Sequence, residues 1–144
     1  MVFVGHPKEL IAMREIVLDT ETTGFRQNDG DRIVEIGCVE LVNHVATGNN
    51  YHQYINPERS MPDGAFKVHG LSTEFLADFP VMAEVVDKFI DFIGTQTPLV
   101  IHNAEFDIGF LNTELKLLDK PVIPMSRSID TVRMARKKFP GAPA

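Results

Sequence analysis

The sequence has 144 residues and a formal net charge of −6, and 44% of its residues are hydrophobic. This length suits one domain with a sizeable core, and no apolar run reaches the roughly 18 residues that a membrane span needs. The single cysteine, Cys38, excludes an internal disulfide and a zinc site built from several cysteines, and it favours a reducing, cytoplasmic compartment. The acidity argues against a protein that holds nucleic acid by bulk positive charge.

The first residues carry no recognisable signal. Residues 1–12 lack the cationic start and the apolar stretch of a signal peptide. Met13 is followed directly by strand-forming residues and could itself be a start. We therefore expect residues 1–12 to be a leader or the result of a mis-set start, with no function assigned, and the domain to occupy residues 13–144.

Three β-rich segments follow. Ile16, Val17 and Leu18 form a short continuous apolar run, which is typical of a buried central strand. A second strand is predicted over Ile33–Val42 and a third over residues 51–55, with turn residues between them. The short connections favour an antiparallel meander.

Helical periodicity replaces the β pattern after residue 62. Apolar residues at three- and four-residue steps predict two helices. Their stripes are Met82, Val85, Val86, Phe89 and Ile93 in the first, and Ala104, Ile108, Leu111, Leu115 and Leu118 in the second. Short strands are predicted at Leu99–Ile101 and Ser128–Asp130, and a last helix over residues 131–139. The order predicts an α/β fold with a five-stranded mixed sheet, an antiparallel meander and then parallel strands, flanked by helices.

Two carboxylates, Asp19 and Glu21, follow the first strand at a spacing of two. In extended backbone this spacing places both side chains on one face, about 6.5–7 Å apart along the chain. Two carboxylates repel each other, and hard divalent cations such as Mg²⁺ or Mn²⁺ prefer oxygen ligands. Small Thr20, Thr22 and Thr23 allow close approach of a ligand and offer hydroxyl donors. A solvated turn is the alternative, and an isolated pair at this spacing favours it.

A third carboxylate, Asp107, lies about one turn into the second predicted helix. Helical geometry places it beside the apolar stripe, where an ionised side chain needs a partner. A metal shared with Asp19 would supply one, although an Asp at a helix start commonly complements the helix dipole. Asn103 is a plausible N-cap of this helix, and Asp130 of the last one.

Glu35 lies inside the apolar run of the second strand, so its charge needs a basic partner. We expect an ion pair with Arg32 or another basic residue rather than a catalytic role. Cys38 in the same strand is expected to be a small buried side chain.

The ordered motifs resemble those of the DEDD (DnaQ-like) 3′–5′ exonuclease superfamily, and within it the epsilon-type proofreading subunits of bacterial DNA polymerase III. The first motif is Asp19-Thr20-Glu21-Thr22-Thr23-Gly24, and the second is His102-Asn103-Ala104-Glu105-Phe106-Asp107. Residues 51–58, 68–71 and 129–131 also match. The ordered set is specific, whereas no single motif is.

The resemblance implies an RNase H-like (ribonuclease H-like) fold and hydrolysis of the terminal phosphodiester of a single-stranded DNA 3′ end, with release of nucleoside 5′-monophosphates, as proofreading during DNA replication. It implies two Mg²⁺ or Mn²⁺ ions as cofactors. It implies that Asp19, Glu21 and Asp107 are the catalytic residues and metal ligands. The implied substrate-binding residues are Thr20, Thr22, Thr23, His69, Leu71, His102, Asn103 and Phe106.

The superfamily carries a third motif on a later helix, Tyr-x₃-Asp or His-x₄-Asp, and the sequence after Asp130 contains no His and no acidic residue. His102 and Asp107 reproduce the second spacing, but Asp107 already belongs to the second motif. We therefore expect an exonuclease domain that lacks its C-terminal motif and has weak or no activity by itself. The resemblance also implies a polymerase catalytic subunit as partner, contacted through a region beyond Ala144. The lack of a long apolar run predicts no membrane contact.

Two alternatives remain open. An RNA-trimming 3′–5′ exoribonuclease of the same superfamily would use the same chemistry, and no residue recognisably reads a 2′-hydroxyl. A non-catalytic polymerase-docking module would keep the fold alone, although the intact Asp19, Glu21 and Asp107 argue against it.

Overall fold

The structure is a computed structural model that describes residues 12–138. Its strands are β1 (Arg14–Thr22), β2 (Ile33–Val42), β3 (Val45–Tyr54), β4 (Leu99–Ile101) and β5 (Ser128–Asp130). They form one sheet in the order β3-β2-β1-β4-β5. The pairs β1–β2 and β2–β3 are antiparallel, and the pairs β1–β4 and β4–β5 are parallel. The predicted mixed sheet is thus confirmed, while the expected leader lies outside the described residues except for residue 12.

Five α-helices accompany the sheet within residues 12–138. They are α1 (Asp63–His69), α2 (Thr73–Leu76), α3 (Met82–Ile93), α4 (Ala104–Leu117) and α5 (Thr131–Lys138). The predicted stripe of α3 is buried at all its positions, and so are the first four residues of the α4 stripe. These stripes pack against Ile16, Leu18, Ile36 and Cys38 of the sheet in one core. In the part of the chain that the structure describes, no helix is long and apolar enough to cross a membrane.

Strand β3 begins six residues earlier than the sequence predicts. Its first six residues, from Val45, are all exposed, and β3 forms an edge of the sheet. Backbone pairing with β2 holds them in place. Alternating hydrophobicity reports burial of one face, so it cannot reveal a strand segment whose two faces are both exposed.

The alternation of β1 separates its two sets of side chains. Ile16, Leu18 and Thr20 are buried beneath the helices, whereas Asp19 points to the opposite, exposed face. Glu21 shares the face of Asp19 and is half-buried. Because β1 and β4 are parallel, the end of β1 and the loop that follows β4 meet at the same edge of the sheet.

The start of α4 is capped by a side chain that is distant in sequence. Asn103 occupies the N-cap position with a left-handed backbone (φ 66°), and its side chain makes no capping hydrogen bond, so the expected cap is wrong. The Asp130 carboxylate instead accepts hydrogen bonds from the Asn103 and Ala104 amides at 3.1 and 3.2 Å. It also accepts one from the Val132 amide at 2.9 Å, which confirms its predicted capping of the last helix.

Two side-chain contacts connect β2 and the residue before it to other elements. Arg32 makes a bidentate pair with Glu114 of α4, at 2.9 and 2.8 Å, and only 3% of Glu114 is exposed. Glu35 pairs with His52 of β3 at 2.5 Å. The expected basic partner of Glu35 is therefore His52 and not Arg32.

Candidate active site

Glu21 lies at the end of β1 in an acidic environment. Partial burial raises its pKa above the ordinary value of a carboxyl, and the charge of Asp19 raises it further. His69 acts in the opposite direction, and Glu35, directly across the strand pair, adds to the increase. The strand end therefore concentrates negative charge, which favours a positive partner.

Asp107 is the most deeply buried of the acidic residues here, with 3% of its surface exposed. Its carboxylate accepts a hydrogen bond from the Thr20 hydroxyl. Burial raises the pKa of Asp107 to about 7, the charges of Asp19 and Glu21 add to the increase, and the Thr20 hydrogen bond opposes it. The three acidic groups are therefore within electrostatic reach of one another.

The arrangement of these carboxylates bears on metal binding. Within residues 12–138, no three His, Cys, Asp or Glu side chains are grouped closely enough to hold a metal ion. Asp19 and Glu21 share the exposed face of β1, whereas Asp107 contacts Thr20 on the covered side. The donor chemistry fits a hard divalent cation, because like charges that raise one another's pKa are relieved by a cation with oxygen ligands.

A cavity of about 620 Å³ opens beside Glu21. One wall consists of the end of β1 and the following loop, residues 20–26. The facing wall comes from α1 and the residues before it, and Phe106 of α4 contributes an aromatic ring. A largely apolar cleft with a few polar groups is typical of a small-molecule site.

The structure brings some of the expected substrate-binding residues to this cavity and not others. Those that line it are Thr20, Thr22, Thr23, His69 and Phe106. Leu71 lies beyond the lining, where its amide donates to Nδ1 of His69 at 3.1 Å. His102 is exposed and its Nδ1 contacts the Thr131 hydroxyl at 2.8 Å, and Asn103 is exposed as well.

His69 joins α1 to the first motif. Its Nδ1 accepts the Leu71 amide hydrogen, so the neutral ring carries its proton on Nε2. Nε2 lies 3.0 Å from the Thr22 carbonyl oxygen and therefore donates to it. This contact links the end of α1 to the end of β1 on two walls of the cavity.

Several residues that line the cavity were not predicted from the sequence. Phe25 is 81% exposed and its ring lies 6.2 Å from that of Phe106, in an edge-to-face arrangement. Ala65 and Val68 of α1 and Asp31 of the loop also line the cavity. The position of Phe25 directly after the first motif was the available signal, but the exposure of a large aromatic ring is not visible in a sequence.

Comparisons with known proteins agree with this architecture. Curated relatives include the DNA polymerase III subunit epsilon of Rickettsia felis (strain ATCC VR-1525 / URRWXCal2), 53% identical over 134 residues. The match covers 91% of this chain and 58% of that relative. The subunit epsilon of Escherichia coli (strain K12) is 50% identical over 137 residues, covering 89% of this chain and 55% of that protein. The chain thus spans little more than half the length of these relatives.

Solved structures give the same fold. Exonuclease X in complex with 5′ overhanging duplex DNA has a TM-score of 0.65 at 26% identity, over 89% of this chain and 66% of that one. The nuclease domain of 3′hExo, a DEDDh family member bound to rAMP, has a TM-score of 0.72 at 21% identity, over 92% of this chain and 72% of that one. These likenesses confirm the RNase H-like fold.

The family model described as exonuclease, RNase_T, matches residues 16–144, which include every residue of the two motifs. The expected likeness to DEDD exonucleases is confirmed, and exonucleases of that family are metal-dependent. The chain belongs to the RNase_T exonuclease family.

Proposed function

We propose that the chain is the exonuclease domain of a 3′–5′ DNA exonuclease that proofreads during replication and releases nucleoside 5′-monophosphates. The observation that carries the proposal is the 620 Å³ cavity beside Glu21, with Asp19 and Asp107 at the same strand end. The name shared by the relatives, DNA polymerase III subunit epsilon, supports DNA as substrate and replication as setting. The same name supports a polymerase catalytic subunit as partner.

We assign Asp19, Glu21 and Asp107 to two Mg²⁺ or Mn²⁺ ions. When bound, such a pair supplies charge stabilisation at the attacking and leaving oxygens of an in-line displacement. Burial raises the pKa of Asp107 to about 7, so at neutral pH part of the population has to lose a proton before this carboxylate can act as a ligand. The pKa of Glu21 is raised as well, by its partial burial and by Asp19. Thr20 helps Asp107 to lose its proton, because a donated hydrogen bond favours the ionised carboxylate.

The cavity suits the terminal nucleotide. Phe106, Phe25 and Val68 offer apolar surface to a base or sugar without selecting one base. Thr22 and His69 shape the polar end of the cavity through their mutual contact. Apolar contact surface of this kind tolerates every base, which fits an enzyme that has to remove any nucleotide. The contacts assigned to Leu71, His102 and Asn103 remain predictions.

The test uses single-stranded oligonucleotides labelled at the 5′ end, with Mg²⁺ or Mn²⁺, and follows stepwise shortening from the 3′ end. Asp19→Ala is expected to abolish shortening and to weaken Mn²⁺ binding in a titration without substrate. Asp29→Ala is the matched control, since Asp29 is an exposed acid with a single long ion pair to Arg26 at 3.7 Å. Because the titration needs no turnover, it applies equally to a weakly active chain.

Three results would contradict the proposal. Shortening that Asp19→Ala leaves intact would remove the metal-ligand assignment. Faster shortening of RNA than of a matched DNA oligonucleotide would favour an exoribonuclease. Absence of Mn²⁺ binding, together with no effect of Asp19→Ala, would favour a non-catalytic docking module.

A further inference from the structure

One acidic residue of the cavity has no part in the proposed metal site. Asp31 lines the cavity, follows the polar loop after the first motif, and exposes 16% of its side chain. Its Oδ1 accepts hydrogen bonds from the Thr23 hydroxyl at 2.8 Å and from Nη1 of Arg59 at 2.9 Å. Its Oδ2 accepts one from the Arg26 amide at 3.0 Å. Both carboxylate oxygens are therefore engaged by donors.

The backbone around Asp31 completes a closed loop. The Asp31 amide donates to the Arg26 carbonyl at 3.1 Å, so residues 26 and 31 are joined in both directions. The Thr23 amide donates to the Arg32 carbonyl at 2.9 Å, and the Arg32 amide donates to the Thr23 hydroxyl at 3.0 Å. Hydrogen bonds of Asp31 and Thr23 thus hold the two ends of the loop of residues 23–32 together.

Gly24 shows how tightly the loop is held against this carboxylate. A Cβ placed on Gly24 would lie 2.3 Å from Oδ2 and 2.7 Å from Cγ of Asp31. The backbone of Gly24 is not in the left-handed region, so close approach to Asp31 accounts for the glycine. Phe25 follows directly, and its ring meets that of Phe106 across the cavity mouth.

Arg59 extends the contact to the facing wall. Its Nη1 reaches Asp31 and also the Gly30 carbonyl at 3.0 Å. Arg59 precedes Pro62 by three residues, and Pro62 lines the cavity opposite the loop. The side chain of Arg59 is 33% exposed, so the ion pair is partly shielded from water and holds more firmly than a surface pair.

We propose that Asp31 is a positioning residue that fixes the loop carrying Phe25 and couples it, through Arg59, to the opposite wall of the nucleotide cavity. It is not a further metal ligand, because its carboxylate oxygens already accept hydrogen bonds from Thr23, Arg26 and Arg59. The inference rests on the proposed function, since it assigns Asp31 to nucleotide binding rather than to chemistry. Asp31 therefore acts on affinity through Phe25 and leaves the metal-binding carboxylates unchanged.

The first test compares Asp31→Ala with the wild-type chain, and uses Asp29→Ala as the matched loop control. Amide hydrogen exchange is measured without ligand, thymidine 5′-monophosphate binding is followed by NMR in Mg²⁺, and Mn²⁺ is titrated alone. In Asp31→Ala we expect the Arg26 amide to lose protection and nucleotide affinity to fall about tenfold, as loss of charge-assisted hydrogen bonds predicts. Mn²⁺ affinity is expected to stay within about twofold of wild type. In turnover, KM should rise while kcat is retained.

A double-mutant cycle tests the contact itself. Gly24→Ala by itself should weaken nucleotide binding, because the new methyl group meets the Asp31 carboxylate. In the Asp31→Ala background, Gly24→Ala should weaken nucleotide binding clearly less, because the carboxylate that obstructs the methyl group is gone. Asp31→Asn removes the charge and keeps one acceptor oxygen, and it replaces Asp31→Ala in the hydrogen-exchange and binding measurements if that variant does not fold. In the cycle the replacement is Asp31→Ser, which also removes the carboxylate that the methyl group would meet.

The outcomes separate the two proposals. Unchanged protection of the Arg26 amide together with unchanged nucleotide affinity in Asp31→Ala would overturn the positioning role. Loss of Mn²⁺ binding as large as that in Asp19→Ala would make Asp31 a metal ligand instead. If the wild-type chain itself binds no nucleotide, the proposed function fails, while hydrogen exchange still decides whether Asp31 holds the loop.

Discussion

At residue 107, a carboxylate with 3% of its surface exposed accepts a hydrogen bond from Thr20 while the charges of Asp19 and Glu21 act on it. Burial and like charge both disfavour the ionised form, so its pKa rises to about 7. A residue placed so unfavourably for stability is typical of a functional site. The cost of this charge to folding stability can therefore be measured in the protein without cations.

Replacing Asp107 by Asn separates stability from cation binding. Asn can still accept the Thr20 hydroxyl hydrogen but carries no charge, so we expect Asp107→Asn to stabilise the chain in EDTA at pH 8 by about 1–3 kcal/mol. Added Mg²⁺ or Mn²⁺ should raise the melting temperature of the wild type and leave that of the variant nearly unchanged. Thermal unfolding with and without cations measures both effects. A less stable variant that still responds to Mn²⁺ would contradict the assignment.

At the scale of secondary-structure elements, one side chain holds the starts of two helices. Asp130 accepts hydrogen bonds from amides at the beginning of α4 and of α5. Burial by itself would raise its pKa, but the amides of Val132, Ala104, Asn103 and Arg133 together hold the pKa below its ordinary value. Because Asp107 lies in the first turn of α4, the cap also fixes the start of the helix that carries it.

Loss of this cap is expected to destabilise the chain in a pH-dependent way. Asp130→Ala should cost about 1–2 kcal/mol at neutral pH, as expected for a lost N-cap. The pKa is lower in the folded than in the unfolded chain, so the charge contributes stability above the ordinary Asp value of 3.8 and loses it as pH falls through the folded pKa. Denaturant unfolding of wild type, Asp130→Ala and Asp130→Asn between pH 2 and 7 checks this. Asn keeps an acceptor without titrating, so its stability should lack this pH dependence.

The buried pair between Arg32 and Glu114 joins β2 to α4. The Glu114 carboxylate accepts both guanidinium hydrogen bonds and also the Ile33 amide at 3.2 Å. Glu114→Gln leaves the partly buried Arg32 guanidinium without its charged partner, so it should destabilise the chain by about 2–3 kcal/mol. The exposed pair of Lys120 and Asp87 is the matched control, and Asp87→Asn should change stability by less than about 1 kcal/mol. If Glu114→Gln and Asp87→Asn lower the free energy of unfolding in urea by the same amount, the expected difference between the two ion pairs is contradicted.

Local periodicity explains why much of the fold was predictable. The stripe of α3 has its five apolar residues on one buried face, and β1 alternates between a covered and an exposed face. Both patterns are written in neighbouring residues, so a sequence displays them directly. The edge strand β3 lacked such a pattern in its first half and was placed only in part.

Contacts between distant residues were not predictable in the same way. The partner of Arg32 is Glu114 rather than the nearby Glu35, because folding brings α4 against β2. Asp130 replaces Asn103 as the cap of α4 for a similar reason. The carboxylates of the candidate site could be named from motif resemblance. The contacts of Asp31, in contrast, became visible only once the loop and Arg59 were seen together.

At the scale of the whole molecule, the net charge of −6 opposes contact with a polyanion, yet the proposed substrate is DNA. Three of the acidic groups that contribute to this charge lie at the candidate site, so cations bound there would reverse the local charge without changing the rest of the surface. Affinity for a DNA end should then depend on divalent cations more than on basic side chains. Salt dependence should accordingly be shallow, since few phosphates are neutralised by Lys or Arg.

The order of DNA affinities of wild type and Asp19→Ala is expected to reverse between EDTA and Mg²⁺, and fluorescence anisotropy with a short single-stranded oligonucleotide measures both affinities. In EDTA, Asp19→Ala should bind at least as well as the wild type, because one repelling carboxylate is gone. In Mg²⁺ the order should reverse, because the variant has lost a cation ligand along with the charge. An oligonucleotide with a non-hydrolysable terminal linkage prevents turnover from obscuring the comparison, and Asp29→Ala should follow the wild type in both buffers. Wild-type binding that is equally tight in EDTA and in Mg²⁺ would show that this acidic molecule contacts DNA without the cations assigned to its carboxylates.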